Sequence, residues 1–206
     1  MDRISLKTAA KEQIKGKIGI LFIISIIVVG ISFIAGMILG FIPFIGGIIS
    51  SIFITPAFSL SIVLVYLKVA DGKTPVAGDA FEGFYDFWSA FKVTFFVNLF
   101  TTLWSLLFIV PGIIKSFSYS MAMYILAENK GMSALEAINK SKAMMDGKKM
   151  DLFVLGLSFI GWSLLCFITF GIASIWVVPY MSATYTNFYK ALKPVETIEA
   201  TETVVE

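Results

Sequence analysis

The chain contains no histidine and one cysteine, Cys166, which sits inside an apolar run. A single cysteine cannot close an internal disulfide, and a Cys/His metal site has no ligand set to draw on. Charge is scarce too: Asp, Glu, Lys and Arg make up 15% of the 206 residues, against about 25% in ordinary soluble domains. What fills the gap is apolar. Hydrophobic residues reach 58%, and phenylalanine alone occurs 20 times. No soluble core of this length needs so much apolar surface, so the solvent of most of the chain is lipid.

The charge that is present falls in a few places, leaving long stretches without any. Ile18 to Leu67 is 50 residues free of charge, Val93 to Ile114 is 22, Ser116 to Ala127 is 12 and Leu152 to Tyr189 is 38. A membrane-crossing helix needs about 20 residues at about 1.5 Å each. The runs of 50 and 38 therefore hold two spans apiece, and the middle region, broken by Lys115, holds another pair. The expected fold class is all-α, a six-helix transmembrane bundle with spans near residues 18–41, 47–67, 91–109, 111–127, 152–169 and 172–189. Residues 1–193 form one membrane domain, and the acidic stretch 194–206 is expected to be a disordered cytoplasmic tail. The first apolar run exceeds the usual apolar segment of a secretory signal, about 7–15 residues, and reads as a permanent helix.

Three similar segments, FIPFIGGIISS, FIVPGIIKSF and FITFGIASI, fall where each hairpin must reverse. Proline and glycine suit such turns, so Pro43, Gly47, Pro111, Gly112 and Gly171 are expected at the reversals, with Pro111 opening the fourth helix. Lys115 then lies one turn in, where its ammonium can reach the headgroups; at mid-bilayer it would cost about 3 kcal/mol.

Fifteen of the sixteen basic residues lie on the side opposite these turns. The positive-inside rule puts both termini and both longer loops in the cytoplasm of a multi-pass protein of the cell membrane. The same side repeats in sequence. KEQIKGKIGILF (residues 11–22) and KAMMDGKKMDLF (residues 142–153) share K-x4-G-K-x3-L-F at an offset of 131, and YDFWSAFKVTFF fits loosely with Ala90 in the glycine's place. The bundle thus reads as three pseudo-repeated units, each an amphipathic segment followed by a hairpin, although any basic approach to an apolar span has a similar look.

Several residues carry the weight of any function. Ser133 and Glu136 form a capping box opening an amphipathic helix. Lys140, Lys142, Lys148 and Lys149 are placed to meet anionic lipid, at about 1 kcal/mol each; the alternative is a helix packed on the protein itself. Tyr85 and Trp88, in FEGFYDFWSAF, mark the inner interface. Asn98, Thr101, Thr102 and Ser105 form the most polar face inside a span, suited to a narrow path or to bonds with Ser118, Ser120 or Tyr124. Ser32, Gly36 and Gly40 form a small-residue face for helix packing, within the chain or in a homodimer. Pro56 and Pro179 are expected to bend their helices.

No base, nucleophile pair or metal ligand set lies at membrane depth, which opposes an enzyme and an ion-coupled carrier alike. The expectation is a non-enzymatic accessory protein that binds lipid or a membrane-protein partner and uses no cofactor. The alternative is an uncoupled transporter or exporter component for a small hydrophobic or amphiphilic solute. The bilayer and its anionic lipids are expected partners; nucleic acid is not.

The core from Leu107 to Gly147, with DLFVLGLSFIGW and VVPYMSATYTNFY after it, resembles the bacterial integral membrane family known as domain of unknown function 975. Its Pro-Gly-Ile segment and the downstream Ala-x-x-x-Ser-Lys are the most specific parts. A fainter likeness runs to the membrane domain fused to some glycerophosphodiester phosphodiesterases. The resemblance implies a six-span protein of the cytoplasmic membrane and brings no catalytic residues.

Overall fold

The computed structural model describes residues 2–40 and 50–193. Among these there is no strand. The helices are α1 (Arg3–Ile14), α2 (Ile18–Gly40), α3 (Thr55–Ala70), α4 (Phe87–Leu107), α5 (Ile109–Tyr119), α6 (Ala122–Glu128), α7 (Ala134–Met144), α8 (Lys149–Leu157), α9 (Ile160–Ile168) and α10 (Ser174–Leu192). A π-helical turn, Ser50–Ile54, precedes α3, and a 3₁₀ segment, Ala77–Asp86, precedes α4.

Among the described residues, five helical stretches are long and apolar enough to cross a bilayer: Ile18–Ile38, Ile52–Ala70, Ala77–Leu107, Ile109–Glu128 and Lys149–Ile168. The stretch of 20 residues from Ile109 covers about 30 Å, the thickness of the hydrocarbon layer. Helix α10 has 19 residues, yet it is not among the five. Its Thr184, Thr186, Asn187, Tyr180 and Tyr189 are polar and buried. Thr184 and Thr186 donate to carbonyls of their own helix, Tyr180 O (2.7 Å) and Ser182 O (2.9 Å), while Asn187 donates to Leu6 O and Tyr189 to the Glu128 carboxylate. Helix α2 is the opposite case, with Ile26, Val29, Phe33 and Met37 all exposed.

The three segments leading into these stretches pack on the helices in a fixed pattern. The 3₁₀ segment lies along α3, where the Gly83 N–H donates to Ser61 Oγ (2.8 Å) and Lys68 pairs with Asp79 (3.0 Å) and Glu82 (2.7 Å). A Cβ on Gly83 would overlap Ala57 O and stand 2.6 Å from Ser61 N. Only glycine permits that approach. Helix α7 lies against α4, α5 and α6. The Ser141 hydroxyl donates to Ser118 O (2.8 Å) and accepts from Met121 N–H (3.2 Å), at the break between α5 and α6. Helix α1 lies on α10, with Asn187 Nδ2 donating to Leu6 O (3.4 Å). Its Lys7 ammonium donates to Ser158 O (3.3 Å), at the break between α8 and α9. Each segment thus packs on the helices before it, and α1 closes on the last.

Two junctions share their local geometry. Gly16 joins α1 to α2 with φ of 78°, and Gly147 joins α7 to α8 with φ of 67°. Lys17 N–H donates to Ile14 O and Lys148 N–H to Met145 O; Leu21 N–H donates to Lys17 O and Leu152 N–H to Lys148 O. Ala90 shows no such turn. It is buried inside α4, because alanine does not take the left-handed conformation cheaply.

The reversals differ in part from expectation. Pro111 is the third residue of α5 rather than its first, and the chain turns at the extended Phe108 (φ −155°, ψ 135°). Gly112 is helical and buried, and makes no turn. A Cβ there would overlap Ser105 Oγ and stand 2.8 Å from Ser105 Cα, so this glycine allows α4 and α5 to touch. Between α9 and α10 the chain reverses through Phe170 (φ 50°) and Gly171 (φ 88°). Pro43 and Gly47 lie outside the described residues, as does 194–206. Pro56 is the second residue of α3, directly after the π-helical turn Ser50–Ile54. Pro179 is inside α10.

Candidate functional site

Two cavities lie between the helices. The first, about 570 Å³, is bounded by α3, α5, α6, α8, α9 and α10. Its polar wall carries Tyr66, Ser116, Ser120, Tyr124, Ser182 and Tyr185, and its apolar wall Phe117, Leu152, Phe153, Leu157 and Ile160. Phe153, Leu157 and Ile160 are 41%, 45% and 59% exposed, so this wall is open to the surroundings. Gly156 widens it: the Tyr185 hydroxyl stands where a Cβ would meet it at 3.6 Å.

The second cavity, about 590 Å³, is bounded by α2, α3, α4, α5 and α6, and carries Ser32, Thr55, Ser59, Thr94 and Asn98. The two adjoin at Ile62, Val63, Ser120 and Tyr124, which line both. Among the described residues, no Asp, Glu, Lys or Arg lines either one. Hydroxyls here mostly satisfy their own helices: Ser120 Oγ donates to Phe117 O (2.8 Å), Ser116 Oγ to Ile113 O (2.7 Å) and Ser32 Oγ to Val28 O (2.7 Å). Such hydroxyls keep lone pairs to offer. Thr94 Oγ1 is different, since it is buried without any hydrogen-bond partner.

The expected polar face divides. Asn98 lines the second cavity together with Ser120 and Tyr124, two of its expected partners. Ser118 is elsewhere occupied: its hydroxyl donates to Ile114 O (3.0 Å) and its carbonyl accepts from Ser141. Thr101, with a buried hydroxyl lacking a partner, lies outside both cavities, and so does the exposed Thr102. Ser105 packs on Gly112. Of the small-residue face, Ser32 lines the second cavity, Gly36 has open space beside it and Gly40 closes α2.

The apolar face of α7, Ala134, Ala137 and Ile138, is buried within the protein, so the face itself does not lie on lipid. Ser133 Oγ accepts from Glu136 N–H (3.2 Å), while the Glu136 carboxylate lies 3.3 Å from Lys140 instead of reaching back. Lys142 holds its ammonium 5.6 Å from the Tyr119 ring and 6.0 Å from that of Phe100. Lys148 precedes α8 and Lys149 begins it. Lys115 places its ammonium 4.9 Å over the Trp104 ring. Tyr85 is 92% exposed and Trp88 is exposed beside it. Burial, then repulsion from Arg3 and Lys11, holds the Lys7 ammonium below the ordinary lysine range. Among the described residues, no three Asp, Glu, Cys or His side chains gather as a metal site.

Of the first cavity's polar residues, Ser120 and Tyr124 stand out in the sequence as possible partners of the Asn98 face, while Tyr66 carries no such mark. Tyr66, Tyr124 and Tyr185 fall one to four residues before the end of a charge-free run, where an unexposed hydroxyl needs company.

The family described as "Protein of unknown function (DUF975)" matches residues 1–118 and 108–196. The chain belongs to this family. The DUF975 match takes in α1 through α10 and both cavities. The likeness to phosphodiesterase-fused membrane domains finds no support in it. No curated protein and no solved structure matches the chain.

Proposed function

We propose that this DUF975 protein is a non-enzymatic, six-span accessory protein of the bacterial cytoplasmic membrane that holds a lipid-derived amphiphile between its helices. The observation that carries this reading is the pair of adjoining cavities, apolar with hydroxyl groups and without charge among the described residues, the first open at Phe153, Leu157 and Ile160 and the second at the exposed Thr55 and Asn98. Pockets of 300–1,000 Å³ with a few convergent polar groups are the usual form of small-molecule sites.

In this reading helix α10 serves as the sixth span, with its polar groups turned inward, and the one-sided basic residues support a cytoplasmic position for both termini. The matched geometry at Gly16 and Gly147 supports three pseudo-repeated units, with the middle one straightened at Ala90. Lys140, Lys142, Lys148 and Lys149 face anionic headgroups from the outer side of α7 and the start of α8. The open side of Gly36 suits a second copy of the chain.

A second reading is uncoupled movement of such an amphiphile, favoured by Asn98 standing on a cavity wall rather than in tight apolar packing. Extraction in native nanodiscs followed by mass spectrometry tests the main reading. It predicts one amphiphile enriched at a fixed ratio to protein; bulk membrane lipid alone contradicts it.

A further inference from the structure

We infer that the basic face of α1 holds the head of an anionic phospholipid at the break between α8 and α9, with the lipid's chains along the outer side of α9 and α10. This is a second site, apart from the cavities. Phe159, Trp162 and Tyr180, on which it rests, line neither of them.

The first observation is where the charge lies. Arg3, Lys7 and Lys11 recur every fourth residue and so share one face of α1. The Lys7 ammonium donates to Ser158 O (3.3 Å) and lies 4.2 Å over the Phe159 ring. Ser158 is the tenth of the 20 residues in Lys149–Ile168, a stretch long and apolar enough to cross a bilayer. A cation half-way along such a helix is costly unless polar headgroups reach it. Among the described residues Lys7 has no ion pair. Burial, and then the charges of Arg3 and Lys11, both positive, hold it below its ordinary range. Ser158 uses one of its three donors, and Arg3 and Lys11 are exposed. The missing partner is an anion.

The second observation is an aromatic collar beside these cations. The Lys11 ammonium lies 5.5 Å from the Tyr180 ring, and Trp162 packs edge-on against that ring, with centroids 6.0 Å apart. Trp162 is exposed, and tryptophan and tyrosine favour the headgroup level.

The third is what lies beyond the collar. Trp176, one turn from Tyr180, and Leu165, one turn from Trp162, are both exposed. Each lies further along its helix from the places where α1 is bonded, Asn187 and Ser158. Cations, aromatic collar and apolar surface thus follow one another along two helices. That is the order of an anionic lipid's head, interface and chains. An acidic protein segment would leave the apolar part uncovered.

Two photoreactive phospholipids with the same diazirine-bearing chain test this, a phosphatidylglycerol and a phosphatidylcholine. Each is added at trace level to zwitterionic nanodiscs of the full-length protein. The phosphatidylglycerol should label α9 and α10 peptides more than the phosphatidylcholine by about tenfold, within what two lysines at an anionic head supply. Arg3→Gln and Lys11→Gln, at exposed side chains, should each lower that labelling about fivefold and leave labelling of the exposed face of α2 unchanged. Equal labelling of α9 and α10 by the two lipids overturns the anion site. Unchanged labelling in both variants overturns the part given to α1. Loss of the labelling on adding inorganic phosphate would reveal a site for free anions and overturn the lipid.

Discussion

Gly16 and Gly147 stand 131 positions apart and hold the same left-handed conformation, with φ of 78° and 67° and nothing within 4 Å of where a Cβ would be. The same hydrogen bonds flank each, and the same registers are buried around them. Ala10 and Ser141 are fully buried, as is Met145, while Ile14, Leu21 and Leu152 are each below 9% exposed. The two junctions are one local structure built twice.

Because space is open at both glycines, any penalty for a side chain there comes from the backbone alone. Gly147→Ala should destabilise by about 1 kcal/mol, and Gly147→Asn by less, since asparagine tolerates φ above zero. Thermal unfolding in detergent measures this. Equal stability of all three would remove the conformational requirement.

Gly83 makes a different demand. Its Cβ would strike Ala57 O and Ser61 N, both backbone, so no rotamer change relieves the clash. Gly83→Ala should cost about 3 kcal/mol. Gly78, in the same 3₁₀ segment, has open space, and Gly78→Ala should change stability by less than about 0.5 kcal/mol. The contrast between the two variants is the readout.

The break between α5 and α6 depends on Ser141, which serves Ser118 O and Met121 N–H together. Ser141→Ala leaves both backbone groups unserved in a buried place and should cost about 2 kcal/mol. Ser116→Ala, whose exposed hydroxyl bonds only within its own helix, is the matched control and should cost little.

The five stretches able to span a bilayer were legible in the sequence because charge is an all-or-none signal in lipid, and Lys17, Lys68 and Lys92 bound charge-free runs. The turn at Gly171 has both a sequence and a backbone reason. Gly112 shows the limit. A Pro-Gly pair between apolar runs reads as a reversal, yet the glycine is there for the close approach of Ser105, a contact between two helices that no single stretch records. The breaks at Ser120–Met121 and Ser158–Phe159 were invisible for the same reason. The freed carbonyls at Ser118 and Ser158 are met by Ser141 and Lys7, from segments far away in the chain. The cavities follow from those distant contacts, so Asn98 could be singled out but its neighbours Ser32 and Thr55 could not be gathered around it.

The four lysines carry a prediction of their own. Replacing Lys140, Lys142, Lys148 and Lys149 with glutamine should reduce anionic lipid adducts seen by native mass spectrometry, each contributing up to about 1 kcal/mol. Lys140 and Lys142 should matter less, since Glu136 and the rings of Phe100 and Tyr119 already engage them. Retention of the anionic adducts in the fourfold variant would remove the lipid-facing role.

Val63 lines both cavities at their meeting point, which makes it the place to test the ligand reading directly. Val63→Trp adds bulk into that shared space. Native mass spectrometry of wild type and variant, matched for unfolding temperature in the same nanodiscs, is the decisive comparison. The co-isolated amphiphile should be present at a fixed ratio in the wild type and lost from the variant. An unchanged amphiphile complement in the folded variant would place the bound molecule outside the cavities and contradict the account.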